Sequence, residues 1–323
     1  MMKVYPNVTI VMPVKNESGG LRLLLPQLLE MVPGAEIIVV DDGSTDASAQ
    51  VASEFGLRVI THMRSLGNGA AIKSGARVVK REILVFMDAD CQHRPDDIPR
   101  LLARLAEGYD MVVGARSLAS QAGAHRAVAN TLYNSLATWM VGQPVEDLTS
   151  GFRAVKTTLF QKYLYLLPNG FSYPTTITMS FFRAGYAVSY VPIEAPPRIG
   201  KSHIRVVRDG IRFFLIIFKI GTLYSPLKLF VPLSAAFFLT GLGYYLYTYL
   251  AFHRFTNMSA TLFITSIQVF LMGLVSEQIS ALNYKESNAH PDADSISVVH
   301  KSGSREQVNQ PESCSSEQKV VSP

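Results

Sequence analysis

Two carboxylates one residue apart, Asp88-Ala89-Asp90, with Gln92 close behind, follow the apolar run Ile83-Leu-Val-Phe-Met87. Where a strand ends and the chain turns, both can face one cleft. Hard oxygen ligands in that arrangement suit Mg²⁺ or Mn²⁺, which bind through a few carboxylates completed by substrate phosphates. Acids that merely cap a helix after a strand have the same spacing, so this pair alone does not decide. A second cluster, Asp41-Asp42-Gly43-Ser44, ends the run Glu36–Val40. An acid there can accept hydrogen bonds from a ribose hydroxyl or a base N–H, or it can cap the next helix. A third polar stretch, Val11-Met-Pro-Val-Lys-Asn-Glu17, closes another apolar run. Three polar loops on one edge of one sheet rarely arise for capping alone.

The elements that must position these loops are legible from periodicity. Val8–Met12 is a short β-branched run that Pro13 should end; Glu36–Val40, Leu57–Thr61, Ile83–Met87 and Met111–Val113 read as further strands. Between them Leu21–Met31, a segment from Ser44 or Thr45 to about Phe55, Gly69–Lys80 and Pro95–Ala106 carry helical spacing. Strands alternating with helices predict βαβ units and a mainly parallel sheet covered on both faces. Ligands of such sheets sit beyond the carboxyl ends of the strands, where the acidic clusters lie.

Leu229–Phe252 and Ser259–Leu282 are apolar stretches, joined by a very short link around His253–Asn257. Each has about the ~20 residues needed to span a bilayer, so a transmembrane hairpin is predicted. The chain of 323 residues has a modest net charge of +5, but Arg198, Lys201, Arg205, Arg208, Arg212, Lys219 and Lys228 face a single acid, Asp209. That excess suits phosphate or lipid headgroups rather than nucleic acid, and it predicts a catalytic domain on the cytoplasmic face. Ile204–Leu223 has basic and apolar residues on separate faces, as in a helix lying in a membrane interface. The tail after Lys285 is Ser-rich and polar and should be disordered. Cys91 and Cys314 suggest neither a disulfide framework nor a zinc site, and the N-terminus lacks a secretory signal. The expected division is 1–200 catalytic, 201–225 interface helices, 226–284 hairpin and 285–323 tail.

The strings Pro13-Val-Lys-Asn-Glu17, Val40-Asp-Asp-Gly-Ser-Thr-Asp46, Asp88-Ala-Asp90 with Gln92, Gly114-Ala-Arg116 and Ser150-Gly-Phe-Arg153 resemble family 2 glycosyltransferases. The nearest branch is that of the polyprenyl-phosphate (dolichyl-phosphate) mannosyl- and glucosyltransferases. The resemblance covers about residues 7–220 and extends through the paired spans. It implies an α/β, GT-A (Rossmann-like) domain that uses a nucleotide-sugar, a polyprenyl phosphate and Mg²⁺ or Mn²⁺. It further implies that Pro13, Lys15, Glu17, Val40, Asp42, Asp88, Ala89, Arg116 and Arg198 hold the nucleotide-sugar, and that Asp88, Asp90 and Gln92 hold the metal. Arg126, Lys201 and His203 would meet the acceptor phosphate, and Asp90, Arg116 and Asp147 would lie at the reacting centre. Where the family often has Arg-x-x-Gly-x-Ser-Lys, this chain has Arg198-Ile-Gly-Lys-Ser-His203, one residue shorter and with His where Lys is expected. Which of Lys201 and His203 meets phosphate therefore stays open.

The implied reaction is a single displacement with inversion, in which an acceptor phosphate already ionised at neutral pH needs no strong base. Rival readings are a synthase elongating a glycan, and a membrane-tethered nucleotide-binding protein without activity. A synthase usually has more spans and a Gln-x-x-Arg-Trp-type string, which the lone Trp139 does not supply. A dehydrogenase is disfavoured because no Gly-x-Gly-x-x-Gly follows the first strand. Sugar, polyprenol and oligomeric state, including a homo-oligomer, are left open.

Overall fold

The structure, a computed structural model, describes residues 4–116, 124–170, 172–194, 222 and 224–285. These belong to one compact unit; residues 286–323 lie outside the described residues. The order of elements is β1 (Val8–Val14), α1 (Ser18–Met31), β2 (Glu36–Asp41), α2 (Ser48–Glu54), β3 (Arg58–Thr61), α3 (Asn68–Val78), β4 (Ile83–Phe86) and α4 (Ile98–Ala106). There follow β5 (Met111–Arg116), α5 (Ala124–Val141), β6 (Arg153–Lys156), α6 (Thr157–Lys162), α7 (Tyr173–Arg183), β7 (Val188–Ile193), α8 (Pro226–Phe252) and α9 (Asn257–Lys285).

The seven strands make one sheet in the order β3-β2-β1-β4-β6-β5-β7. It is parallel except that β6 runs antiparallel between β4 and β5. Every residue of β1 is buried, as a central strand covered on both faces demands. Ile10, Met12 and Val14 point into a core with α1, α2 and α4, while Val11 joins Ile38, Val40 and the apolar faces of α3, α6 and α7 on the other side. Each fully buried Val, Leu or Ile contributes about 1.5–3 kcal/mol, and this two-sided core is what fixes the sheet edge.

Pro13 does not end β1 as expected; it pairs with Val40 and the strand continues to Val14. The reason is register: the side of Pro13 that lacks an N–H faces β4, and β4 has already stopped with Phe86 opposite Val11. The second helix also starts later than its hydroxyls suggest. Ser44 and Thr45 do not cap it, because the Ser44 hydroxyl accepts from the Asn16 N–H and the Thr45 N–H donates to Asn16 Oδ1. Pro95–Asp97 forms a 3₁₀ turn ahead of α4 rather than its first turn.

The chain from 226 to 285 folds as a helical hairpin, with His253 in the left-handed region at the reversal (φ 48°). Both helices are long and apolar enough to cross a membrane, and most of their side chains face outward from the protein. Small residues recur every seventh position along the seam, Ser234, Gly241 and Thr248 against Ser259, Ser266, Gly273 and Ser280. At its centre the hydroxyls of Ser234 and Ser266 each donate to the other's backbone carbonyl at 3.0 Å. Close helix packing through small residues and such hydrogen bonds is the usual solution where no water drives association.

Among the described residues, polar side chains of Tyr224, Lys228 and Glu277 dock the hairpin on the sheet domain. The buried Tyr224 hydroxyl donates to the Thr176 carbonyl at 2.7 Å and bonds Ser180 Oγ at 3.0 Å. Lys228 Nζ donates to the last carbonyls of α5, Met140 O at 2.8 Å and Trp139 O at 3.2 Å. Arg183 at the end of α7 lies 3.6 Å from Glu277 of α9.

Candidate active site

β1 lies between β2 and β4, and the crossover from one side to the other opens a crevice at the carboxyl ends of these three strands. A cleft of about 390 Å³ sits there, lined by Pro13, Val14, Lys15, Glu17, Asp42, Ser65, Gly67, Asn68, Ala71, Asp88, Ala89 and Asp90. The three polar loops picked out by sequence therefore meet in one cavity of ligand size. Val40 does not reach it; it packs in the core beneath, beside Ala71 and Ile72.

Much of the conspicuous polar sequence locks the loops to each other. Asn16, in the left-handed region (φ 55°), receives Thr45 at its side chain. Asp46 accepts from the Ser18 and Ser48 N–H groups at 3.0 Å, and Ser48 Oγ accepts from the Glu17 N–H at 3.0 Å. Exposed though it is, Asp46 is brought to about 2: its slight burial acts upward, and the bonds from Ser48 and Ser18 outweigh it.

Asp42 has a specific task. Its Oδ1 accepts from Leu66 N at 2.8 Å and faces His62 Nδ1 at 2.8 Å; its Oδ2 accepts from Ser65 Oγ at 2.7 Å and Gly67 N at 2.8 Å. Four partners fill the lone-pair positions of one carboxylate. Burial alone would raise its pKa; these bonds outweigh it and bring the carboxyl from 3.8 to about 2. Asp42 therefore builds the far wall of the cleft. Gly67 at φ 106° is required in that wall, since a Cβ would lie 2.4 Å from the Asn169 carbonyl oxygen. Lys15 closes the same wall by donating to Ser65 Oγ at 2.8 Å.

The Asp88–Asp90 loop is held from below. His93, whose ring stacks on Phe152 (4.9 Å, 14°), accepts the Asp88 N–H at Nδ1 over 3.1 Å. Burial pushes its pKa down to about 4, so it is a neutral acceptor here and, 4.0 Å from Asp88 Oδ2, forms no ion pair. Sequence reasoning passed over His93; its place three residues past Asp90, directly after Gln92, was the available signal. The Gln92 N–H donates to Asp90 Oδ1 at 3.1 Å, and Gln92 does not line the cleft. Gly151 leaves space for the Asp88 carboxylate: a Cβ there would lie 3.0 Å from Oδ2. Among the described residues no group of three or more His, Cys, Asp or Glu converges. Two hard carboxylates in a polar cleft fit a divalent ion that takes its remaining ligands from a diphosphate and water.

Arg116, at the end of β5, lies on a neighbouring cavity with Thr131, Asn134, Ser135, Thr138 and Glu146. Its guanidinium is paired with Asp147, which is 3% exposed. Asp147 also accepts from Thr149 N at 3.0 Å and Ser150 N at 3.1 Å, so its oxygens are occupied and it orients rather than abstracts protons. Burial works to raise the Asp147 pKa, but the bonds and charge of Arg116 more than offset this and lower it; those bonds and charge likewise raise Arg116 against its own burial. Asn134 and Thr138 of α5 bind the loop that carries Asp147, at Leu148 N (3.1 Å) and Val145 N (3.0 Å). Below, Arg153 is fully buried and donates to Pro174 O and Thr178 Oγ1 at 3.1 Å and to Ser150 O, bracing the same turn. Arg198, Lys201, His203 and the basic stretch 204–221 lie outside the described residues, as does the side chain of Arg126 on α5.

Comparison with known proteins agrees with this architecture. Residues 9–164 match Glycosyl transferase family 2, and residues 225–282 match the GtrB C-terminal hairpin. Glycosyltransferase AglJ of Haloferax volcanii is 27% identical over 294 residues, covering 86% of this chain and 95% of that protein. Polyprenol monophosphomannose synthase of Mycolicibacterium smegmatis is 28% identical over 204 residues (58% of this chain, 77% of that protein). An undecaprenyl-phosphate 4-deoxy-4-formamido-L-arabinose transferase of Pseudomonas fluorescens is 34% identical over 200 residues, and the match spans only 57% of its length. Glucosyl-3-phosphoglycerate synthase of Mycobacterium tuberculosis, solved with Mn²⁺ and UDP, shares the fold (TM-score 0.54, 22% identity, 66% of this chain and 78% of that one). With a GT-A-like sheet domain followed by a GtrB-type hairpin, the chain is a family 2 glycosyltransferase related to the polyprenyl-phosphate sugar transferases.

Proposed function

We propose that this enzyme transfers one hexose from a nucleoside diphosphate sugar to a polyprenyl phosphate at the cytoplasmic face of a membrane. The observation that carries the reading is the convergence of Glu17, Asp42, Asp88 and Asp90 on one cleft, with Arg116 on the adjoining cavity. The relatives named for polyprenol monophosphomannose synthesis and undecaprenyl-phosphate transfer support the lipid acceptor. The fold neighbour solved with Mn²⁺ and UDP-glucose supports the donor class and the cation.

The nucleoside occupies the cleft between Pro13, Lys15, Glu17 and the wall that Asp42 organises. Asp88 and Asp90 would hold Mg²⁺ or Mn²⁺, which when bound supplies positive charge to the donor diphosphate, while Gln92, off the cleft, steadies Asp90 through its N–H. Arg116, aimed by Asp147, adds a fixed cation for the charge that develops as the diphosphate leaves, and such preorganised charge is usually the largest catalytic contribution. An acceptor phosphate oxygen forms the new bond to the anomeric carbon while the bond to the diphosphate oxygen breaks, so the configuration inverts. The acceptor is an anion from the start, and no residue need take its proton. Arg126, Lys201 and His203 would hold that phosphate, and Arg198 the donor diphosphate. The hairpin crosses the bilayer and leaves the concentration of Lys and Arg before its first span on the cytoplasmic side.

Membranes containing the enzyme, incubated with a panel of labelled nucleotide-sugars, should yield a lipid carrying a single sugar from one donor. A polymeric product, or transfer only to a water-soluble acceptor, would overturn the reading.

A further inference from the structure

We infer that Trp139, the only tryptophan of the chain, is a membrane-interface anchor of the catalytic domain, its indole lying at the headgroup–acyl boundary beside the hairpin. The inference rests on the reading that α8 and α9 cross a bilayer. Lys228, in the first turn of α8, puts its ammonium on the Trp139 and Met140 carbonyls, 3.2 and 2.8 Å away. The Trp139 backbone is thus within one lysine side chain of the point where the apolar run of α8 begins. Arg183 and Glu277, 3.6 Å apart, dock the same end of the hairpin on the domain, so this plane carries charge of both signs and marks headgroup depth.

At that level Trp139 is 48% exposed, while Met140 beside it is buried at 3%. A half-exposed indole is costly against water, and its apolar body with one N–H donor suits the boundary between lipid tails and headgroups. The same helix lines the cavity next to Arg116 through Thr131, Asn134 and Thr138. An anchored Trp139 would therefore fix the height of that cavity above the acyl chains, where a lipid-borne phosphate lies.

The test uses the intrinsic fluorescence of the full chain reconstituted in phosphatidylcholine–phosphatidylglycerol vesicles. Flotation of the protein with the vesicles reports on the hairpin; quenching of selectively excited tryptophan emission reports on Trp139. An interfacial indole should be quenched about twofold more by bromine near the glycerol end of the acyl chain than by bromine near its terminus, and should resist aqueous iodide. Protein that floats yet is quenched by iodide and not by brominated lipid overturns the anchor while leaving the hairpin intact. Emission indifferent to both quenchers would mean protein covers the indole, and overturns it equally. Protein that fails to float removes the membrane reading itself, and the anchor falls with it.

Discussion

Arg116 and Asp147 form a two-pronged pair: Nε meets Oδ2 at 2.8 Å and Nη2 meets Oδ1 at 3.0 Å, with Nη2 also donating to Thr149 Oγ1 at 2.6 Å. The Arg116 N–H adds a bond to Oδ2 at 3.2 Å. The end of β5 and the loop before β6 are thus joined through one carboxylate, which leaves the guanidinium no freedom to choose its direction. The resemblance places Asp147 at the reacting centre; in the fold it is the carboxylate that seats the Arg116 guanidinium.

Asp147→Asn should accordingly lower kcat by about 10²-fold or more, because a misaimed Arg116 no longer meets the leaving diphosphate. It should also destabilise the protein by about 3 kcal/mol, as removal of one partner of a largely buried pair does. Arg116→Lys should show the kinetic loss with a smaller loss of stability, since an ammonium keeps charge but not the fork. Steady-state kinetics and thermal unfolding of the two variants check both statements.

His93 offers a test of positioning. His93→Phe keeps the ring on Phe152 but leaves the Asp88 N–H without its acceptor, which costs about 1–3 kcal/mol and frees the loop. His93→Asn restores an acceptor at similar reach. Mn²⁺ titration in the presence of nucleoside diphosphate should show weaker binding for the Phe variant and recovery in the Asn variant. Equal loss in both would mean that the ring matters only as core.

The Asp42 wall has a pH signature. A carboxyl at about 2 in the folded protein and 3.8 otherwise contributes stability that is fully present above about pH 4 and is lost as pH falls towards 2. The amount is about 2 kcal/mol. Asp42→Asn should be less stable than the parent at neutral pH and approach it near pH 2, as unfolding midpoints measured across that range will show.

In the hairpin, Ser234→Ala and Ser266→Ala should be coupled, because each hydroxyl donates to the other's carbonyl. Pairs of this kind in a membrane bundle couple by about 0.6 kcal/mol. A double-mutant cycle of unfolding in mixed micelles measures it, and nucleotide binding by the sheet domain should be unchanged throughout.

The strands and the meeting of the three loops were legible because a buried parallel sheet demands continuous apolar runs, and its ligands must sit at their carboxyl ends. Pro13 misled because its missing N–H matters only if a neighbour is there to receive it, and β4 ends too soon. The partners of Asp42 and Asp147 were hidden for a related reason. A carboxylate's partners come from residues far away in sequence, and whether they are a ligand's donors or the chain's own depends on tertiary register. Ser44 and Thr45 read as caps by local rules, yet Asn16, on a different loop, claims them.

The central claim is that Asp88 and Asp90 hold a divalent cation that in turn holds the donor diphosphate. Calorimetric titration of the full-length enzyme with nucleoside diphosphate, with and without Mn²⁺, tests it most directly. Binding should require the cation and should weaken at least about tenfold in Asp88→Asn and Asp90→Asn, whose folded structures persist. Nucleotide binding of equal strength without the cation, or unchanged in both variants, would contradict the account.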